Sequence, residues 1–297
     1  MEKVSIVIAA YNAERFLGET VESVLCQSYP EKELVIVDDG STDGTPGVIA
    51  ELASRASLVS IRQENKGIAG GRNTGLRACT GDYIAMLDHD DLWEPEKLEK
   101  QVRFLSETGA DMVFSDFFIV RADGKKIKYP PKKRPDTDVL DGLLHENIIY
   151  TSTVLFKKGV LDKAGLLDEQ FTYCEDWDWW LRMARRVKIG YLPEYVATRR
   201  EIPSSFSNIY KGKFLYYKRL YEKHIQECSE AQKKVFKKYI GKKCYVDAIK
   251  LMRCGLLQLG MRSYREAVKG HAPLALMFPS LMKSYVKARL SASDRVG

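Results

Sequence analysis

Short apolar runs alternate with helical stripes over the first 120 residues. Val4–Ala9 reads as a continuous buried strand, and Asn12 is placed to cap a helix whose stripe is Phe16, Leu17, Val21, Val24 and Leu25. Leu34–Val37 predicts a second strand ending at Asp38-Asp39-Gly40-Ser41. Thr45 and Pro46 then fit the N-cap and first position of a helix through Ile49 and Leu52. Leu58–Ile61 predicts a third strand, Arg72–Ala78 a helix and Tyr83–Leu87 a fourth strand. Pro95 opens a helix carrying Leu98, Val102 and Leu105, and Met112–Val120 is strand-like. Repeated βα units with non-alternating strands imply an α/β fold: a mostly parallel central sheet with helices on both faces.

Beyond residue 120 the pattern loosens. Residues 121–150, with Pro130-Pro131 and Pro135, read as an excursion from the sheet; Thr151–Phe156 returns to strand, and Glu175–Arg186 predicts a helix with Trp177, Trp180, Leu181 and Ala184 on its apolar side. From about Ser205 the pattern is helical. Two domains are expected, a sheet-based one over 1–204 and a basic, amphipathic helical region over 205–297.

Composition adds a division of charge. The chain carries +7 in all, but from Ser205 onward 20 Lys and Arg face 6 Asp and Glu, a net +14, which leaves −7 for residues 1–204. An apolar share of 45% is enough for a substantial core. The six cysteines form no CxxC pair, so reduced thiols in a cytosolic protein are expected rather than a zinc site. Met1-Glu2-Lys3 before the first strand is too short and acidic for a signal peptide. No apolar run approaches the roughly 20 residues that span a bilayer.

In parallel α/β sheets, ligands bind at the carboxyl ends of the strands. Three strands here end in polar clusters, Tyr11-Asn12, Asp38-Asp39 and Asp88–Asp91, which should converge on one crevice. Three carboxylates within Asp88-His89-Asp90-Asp91 suit a hard divalent cation that holds a nucleotide diphosphate; the alternative is a solvated acidic turn. Asp39 can accept a hydrogen bond from a nucleobase or ribose, whereas Asp38 reads as the residue of an Asx-type turn. Arg72 follows Gly70-Gly71, where a guanidinium can reach a base edge or phosphate; a salt bridge to Asp39 or Asp88 that shapes the empty site is the structural reading, and the two are not exclusive. His89 should be exposed, and Asp91 should cap the following helix.

Five segments in order carry a resemblance: Val4–Asn12; Val35-Ile36-Val37-Asp38-Asp39-Gly40-Ser41-Thr42-Asp43; Asn65-Lys66-Gly67 with Gly71-Arg72-Asn73-Thr74-Gly75; Leu87–Asp91; and Glu175-Asp176-Trp177-Asp178-Trp179-Trp180-Leu181-Arg182. Over residues 3–204 the chain resembles the inverting family 2 glycosyltransferases of GT-A fold. The resemblance implies a Rossmann-like domain that takes a nucleotide diphosphate sugar, a UDP-sugar foremost. It implies uracil recognition by Asp39 against a wall of Ala10 and Tyr11. It also implies Mn²⁺ or Mg²⁺ held by Asp90, with Asp88 on the ribose or a metal-bound water. Asp176, ahead of Glu175, is then the general base that deprotonates the acceptor hydroxyl, favoured in ionised form by a helix N-terminus; a simple helix cap is the other reading. Trp179 is expected on the exposed side, facing an acceptor sugar, or in the core. Many relatives carry a His about 20 residues past the acidic–Trp motif. This chain has Thr198-Arg199-Arg200-Glu201 there, so Arg199 or Arg200 is expected to contact the diphosphate instead.

The basic region interleaves Lys and Arg with Tyr210, Phe214, Tyr216, Tyr217, Leu220 and Tyr221, and repeats the mixture over Leu274–Lys287. Such helices suit an anionic membrane surface and a polyprenyl-linked or glycan acceptor, or a cap on the catalytic domain or another subunit. No recognised DNA or RNA module accompanies the charge. The expectation is a glycosyltransferase of bacterial surface polysaccharide synthesis, peripheral on the cytoplasmic face of the membrane. Two rivals stand beside it. A sugar-phosphate nucleotidylyltransferase would need a Gly-rich, basic loop where Tyr11-Asn12-Ala13-Glu14 stands, and a non-catalytic scaffold would be expected to lack Asp90 or Asp176.

Overall fold

A computed structural model describes residues 1–129, 138–202, 211–254 and 256–293. It divides into two compact units, Met1–Leu143 with Asn147–Ile202, and Leu144–Glu146 with Pro203–Gly297.

The first unit is built on one sheet. Strands β1 (Val4–Ala10), β2 (Lys32–Asp38), β3 (Val59–Arg62) and β4 (Tyr83–Met86) run parallel in the order β3-β2-β1-β4. Ala10 pairs with Asp38 and Val7 with Met86, so all three strands end at one edge and release Tyr11, Asp39 and Asp88 there. Their burial on both faces explains the unalternating sequence. Ile6 and Ile8 point into the core that holds Leu17, Val21 and Val24 of α1 (Leu17–Leu25), Ile49 and Leu52 of α2 (Thr45–Arg55), and Leu98 and Leu105 of α4 (Lys97–Thr108). The other face takes α3 (Gly67–Ala78). A Cβ at Gly75 would overlap Val7 Cγ1, so the bare backbone there lets the helix lie against the sheet.

The far half of the sheet is mixed. β8 (Leu155–Lys157) pairs antiparallel with both β4 and β6 (Met112–Val120), β9 (Ile189–Arg200) runs parallel to β6, and β5 (Leu92–Trp93) and β7 (Lys126–Lys128) pair antiparallel with β9 and β6. β9 has no clear sequence signal because Gly190 and the Pro193-Glu194 pair interrupt it. The structure absorbs Pro193 in a register shift between Ser115 and Asp116, where no ladder N–H is required.

Several local expectations change. Asn12 does not cap α1: it sits at φ 50° and clasps the neighbouring loop, taking Thr42 N at 2.9 Å on Oδ1, and the helix starts at Leu17. Thr45 lies inside α2, and Asp43 takes over at its start by accepting from Thr45 N and Oγ1. Thr151–Phe156 divides into a 3₁₀ turn, Thr151–Thr153, and the start of β8. The excursion over 121–150 contains β7 and α5 (Val139–His145), with residues 130–137 outside the described set. Helices α6 (Val160–Ala164) and α7 (Glu175–Ala184) complete this unit.

The second unit is helical, with α8 (Phe214–His224), α9 (Glu230–Arg253), α10 (Leu257–Gly270) and α11 (Phe278–Ser293). Ser229 and Gln232 form a capping box at the start of α9. α9 and α10 touch through glycines: a Cβ on Gly270 would stand 2.7 Å from Gly241 Cα. Of the apolar residues interleaved in the basic region, Phe214, Tyr217 and Leu220 are buried, and Tyr210 lies outside the described residues. Exposed large apolar residues of this unit include Leu215, Val246 and Val286, and three adjoin at Leu276 (84% exposed), Met277 and Phe278. Among the described residues no helix is long and apolar enough to cross a membrane.

Candidate active site

The turn after β4 has its backbone fixed at each residue. Asp88 N donates to Ser152 Oγ (3.2 Å), Thr20 Oγ1 donates to His89 O (2.9 Å), Arg200 Nη1 donates to Asp90 O (2.8 Å), and Asp91 N closes the turn on Asp88 O (3.1 Å). His89 is half-buried with Nδ1 3.3 Å from Ala9 O, rather than exposed. Asp91 caps no helix, because β5 follows it. Its buried carboxylate accepts from Tyr150 OH (2.5 Å) and Ser152 Oγ (2.6 Å), which ties the turn to the segment before β8.

Asp90 is different. Among the described residues no other residue donates a hydrogen bond to its carboxylate. Burial raises its pKa; the nearby His89 and Arg199 oppose the rise, and the negative field of Asp88 adds to it. Such a carboxylate gains from a cation. Among the described residues no group of three or more His, Cys, Asp and Glu is arranged as a metal site.

Arg72, 5% exposed, braces two motifs, as the salt-bridge reading expects. Nη2 donates to Asp88 Oδ1 (2.7 Å) and Nη1 to Glu175 Oε1 (2.9 Å), while the alternative partner Asp39 is not engaged. Asn73, beside it, exchanges hydrogen bonds with the backbone of Leu167, which anchors α3 to the segment leading into α7.

One residue earlier, Gly71 lies against Asp39, so α3 also borders the end of β2. Asp39 is buried, its N–H donates to Ala10 O (2.8 Å), and its Oδ1 accepts from Gln63 Nε2 (2.6 Å) and Lys66 N (3.0 Å). Asp38 accepts from Ser41 N (2.9 Å) and faces Arg62, as an Asx-type turn residue does. Ala10 is buried beneath this edge and Tyr11 is 45% exposed at it. The clasp by Asn12 holds the Tyr11 loop to Ser41 and Thr42.

At the start of α7, Cys174 adopts a left-handed conformation (φ 69°) that turns the chain so that Glu175 and Asp176 begin the helix. Glu175 is buried on Arg72. Asp176 is half-buried, accepting from Asn147 Nδ2 (3.0 Å) on Oδ2 and Trp177 N (2.6 Å) on Oδ1. Burial raises Asp176 above the usual carboxylate range, against the pull of Arg72, Trp177 N–H and Asn147. Glu175 is raised likewise, by burial and then by the charge of Asp176. Trp179 is not on an exposed side: it is fully buried, stacked on Trp180, with Nε1 on Gly165 O (2.8 Å), and of the two expectations only core packing holds.

At the end of β9 the two arginines separate. Arg200 is spent on Asp90 O and the Glu19 carboxylate, whereas Arg199 lies over the Tyr150 ring (5.7 Å) with its charge felt by Asp90. The site thus joins Asp88, Arg72 and Glu175 directly, with Asp90 and Asp176 flanking that bridge and Asp39 beside the same helix. Gln63, Asn147, Tyr150 and Ser152 were missed in the sequence. Only Gln63, a polar residue directly after β3, carried any signal.

The Glycosyl transferase family 2 profile matches residues 5–165. TuaG of Bacillus subtilis (strain 168), a glycosyltransferase named for teichuronic acid biosynthesis, is 30% identical over 238 residues, covering 76% of this chain and 91% of TuaG. The Escherichia coli UDP-Glc:alpha-D-GlcNAc-diphosphoundecaprenol beta-1,3-glucosyltransferase WfaP is 35% identical over 187 residues, 62% of this chain and 70% of WfaP. In fold, the chain is similar to S. aureus TarS 1-349 in complex with UDP-GlcNAc, with a TM-score of 0.72 at 20% identity, covering 98% of this chain and 92% of that one. The profile spans more than half of the chain and TuaG is matched almost end to end; the chain belongs to glycosyl transferase family 2, with a GT-A-like fold.

Proposed function

We propose that the protein is an inverting, metal-dependent glycosyltransferase that moves a sugar from a UDP-sugar to a lipid-linked or glycan acceptor in bacterial surface polysaccharide synthesis. The observation that carries the mechanism is the Asp88–Arg72–Glu175 bridge, which ties the acidic turn to the residue before Asp176. The relatives' names support the chemistry class: WfaP uses UDP-Glc and a diphosphoundecaprenol-linked acceptor, and the TarS structure holds UDP-GlcNAc.

In this reading Asp39 and Tyr11 hold the base, and Ala10 supplies backbone beneath it. Asp90, to whose carboxylate no other described residue donates, would hold Mn²⁺ or Mg²⁺ together with Asp88, whose Oδ1 is held by Arg72; carboxylate oxygens suit such hard cations. When bound, the ion neutralises charge that builds on the leaving diphosphate. Arg199 adds a second positive charge at the position where many relatives place a His. Asp176 accepts the proton of the acceptor hydroxyl as its oxygen attacks the anomeric carbon from the side opposite the diphosphate, so the configuration inverts. Glu175 acts through Arg72 rather than as the base.

The test is a panel of nucleotide sugars, each assayed for transfer and hydrolysis with and without Mn²⁺. Asp90→Ala should lose metal-dependent turnover, and Asp176→Ala should lose transfer while keeping nucleotide binding. Normal transfer by either variant overturns its assigned role.

The helical region supports a place on the inner membrane surface in the same reading. Between Glu266 and Asp294 the sequence holds Lys269, Lys283, Lys287 and Arg289 with no acid, around the exposed Leu276-Met277-Phe278. Co-sedimentation with phosphatidylglycerol vesicles should exceed that with phosphatidylcholine vesicles and fall at least tenfold in Leu276→Asp. Equal sedimentation with both vesicle types overturns it.

A further inference from the structure

The carboxylate of Asp39 is oriented by a relay that the reaction itself does not require. Thr74 Oγ1 donates to Gln63 Oε1 at 2.7 Å, and Gln63 Nε2 donates to Asp39 Oδ1 at 2.6 Å. An amide that accepts from Thr74 through its oxygen must present its nitrogen to Asp39. Lys66 N adds a second donor to the same oxygen at 3.0 Å. Oδ1 is therefore occupied twice, and among the described residues no other residue donates to Oδ2. Gly40 (φ 78°) makes the arrangement possible: a Cβ there would stand 2.8 Å from Asn65 N, so the 63–66 segment could not lie against the end of β2.

We infer that Gln63, set by Thr74, is a positioning residue for nucleobase selection: it turns Asp39 so that the free oxygen accepts from the imide N–H of a base. This rests on the proposed role of Asp39 as the base contact of a nucleotide-sugar donor. A carboxylate oxygen that only accepts pairs with the ring N–H of uracil or guanine. Against cytosine or adenine it meets a ring nitrogen lone pair, and a polar mismatch of this kind discriminates far more strongly than a change of shape. A rotated Asp39 would lose that contrast without losing its charge.

The test uses the full-length protein and compares UMP with CMP binding by calorimetry, together with donor kinetics, for Gln63→Leu and the near-isosteric Thr74→Val. The preference for UMP over CMP should fall at least tenfold in Gln63→Leu and about threefold in Thr74→Val. KM for the donor should rise with kcat within twofold of wild type, since the base is remote from the reacting carbon. A merely structural role would lower the melting temperature and leave the UMP/CMP ratio of the folded protein unchanged, which overturns the inference. A wild-type protein that binds no uridine nucleotide overturns the donor reading as well. A wild type that prefers UMP, with both variants keeping its ratio, overturns only the role of Gln63.

Discussion

Arg72 and Asp88 meet at 2.7 Å, and the second terminal nitrogen of the same buried guanidinium lies 2.9 Å from Glu175. Neither carboxylate contact is an exposed ion pair of the kind that contributes little. Removing the cation leaves two acidic groups facing each other away from water. Arg72→Gln should cost about 3 kcal/mol of unfolding free energy by urea titration, and about 100-fold in kcat/KM through misplacement of Asp88 and α7. In Arg72→Gln/Glu175→Gln the losses should fall short of their sum, since the second change removes one of the stranded charges.

With Asp176 as the proposed base, the pH dependence of transfer should follow its ionisation. Its pKa is raised by burial and restrained by Arg72, Trp177 N–H and the amide of Asn147. A general base works only when deprotonated, so kcat/KM should fall as pH drops through this pKa, at a higher pH than an ordinary aspartate would give. The Asn147 amide favours the ionised form. Asn147→Ala should therefore move the acid limb to still higher pH and leave the rate above it nearly intact. A limb that stays in place would show that another group controls it.

Arg199 and Arg200 are adjacent in sequence but differ in their partners, and their variants should differ in kind. Arg199 lies over the Tyr150 ring and, in the proposed mechanism, supplies positive charge to the leaving diphosphate. Arg199→Gln should lower kcat about 100-fold with little change in the Mn²⁺ concentration for half-maximal rate. Arg200 holds the carbonyl of Asp90. Arg200→Gln should raise that Mn²⁺ concentration several-fold, because the turn proposed to hold the metal loses its anchor. A metal titration of both variants separates the two roles.

Strands β1, β2 and β4 were legible because each is a largely buried apolar run that leads into a polar cluster, and the pairing of Ala10 with Asp38 and Val7 with Met86 brings those clusters to one edge. β9 was not legible: Pro193 and Gly190 mask it locally, and only the long-range pairing with β6 and a bulge make it a strand. The same contrast holds at the site. The acidic residues stood out as motifs, but which carboxylate is free and which is spent depends on partners 59 to 103 positions away. Tyr150 and Ser152 occupy the Asp91 carboxylate, and Glu175 shares the Arg72 guanidinium with Asp88. Trp179 faced the core because α7 is covered on that side by Phe156 and Gly165, neither of which its own spacing reveals.

Glu33 gives a stability prediction at the opposite edge of the sheet. Burial acts to raise its pKa, but hydrogen bonds from Lys3, Ser5 and Thr80 outweigh burial and bring it from 4.5 to about 2. The folded-state value lies below the unfolded one, so the stabilisation is complete above pH 4.5 and disappears as pH falls towards 2. A shift of this size corresponds to about 3 kcal/mol. Glu33→Gln should therefore lower the unfolding free energy by about 2–3 kcal/mol at pH 7, and the gap to wild type should close progressively below pH 4.5. The network joins β1, β2 and the turn before β4 through one side chain, with Thr80 N and Oγ1 each at 2.6 Å. If the gap persisted unchanged at pH 2.5, its source would be the shape of the side chain in that turn rather than its charge.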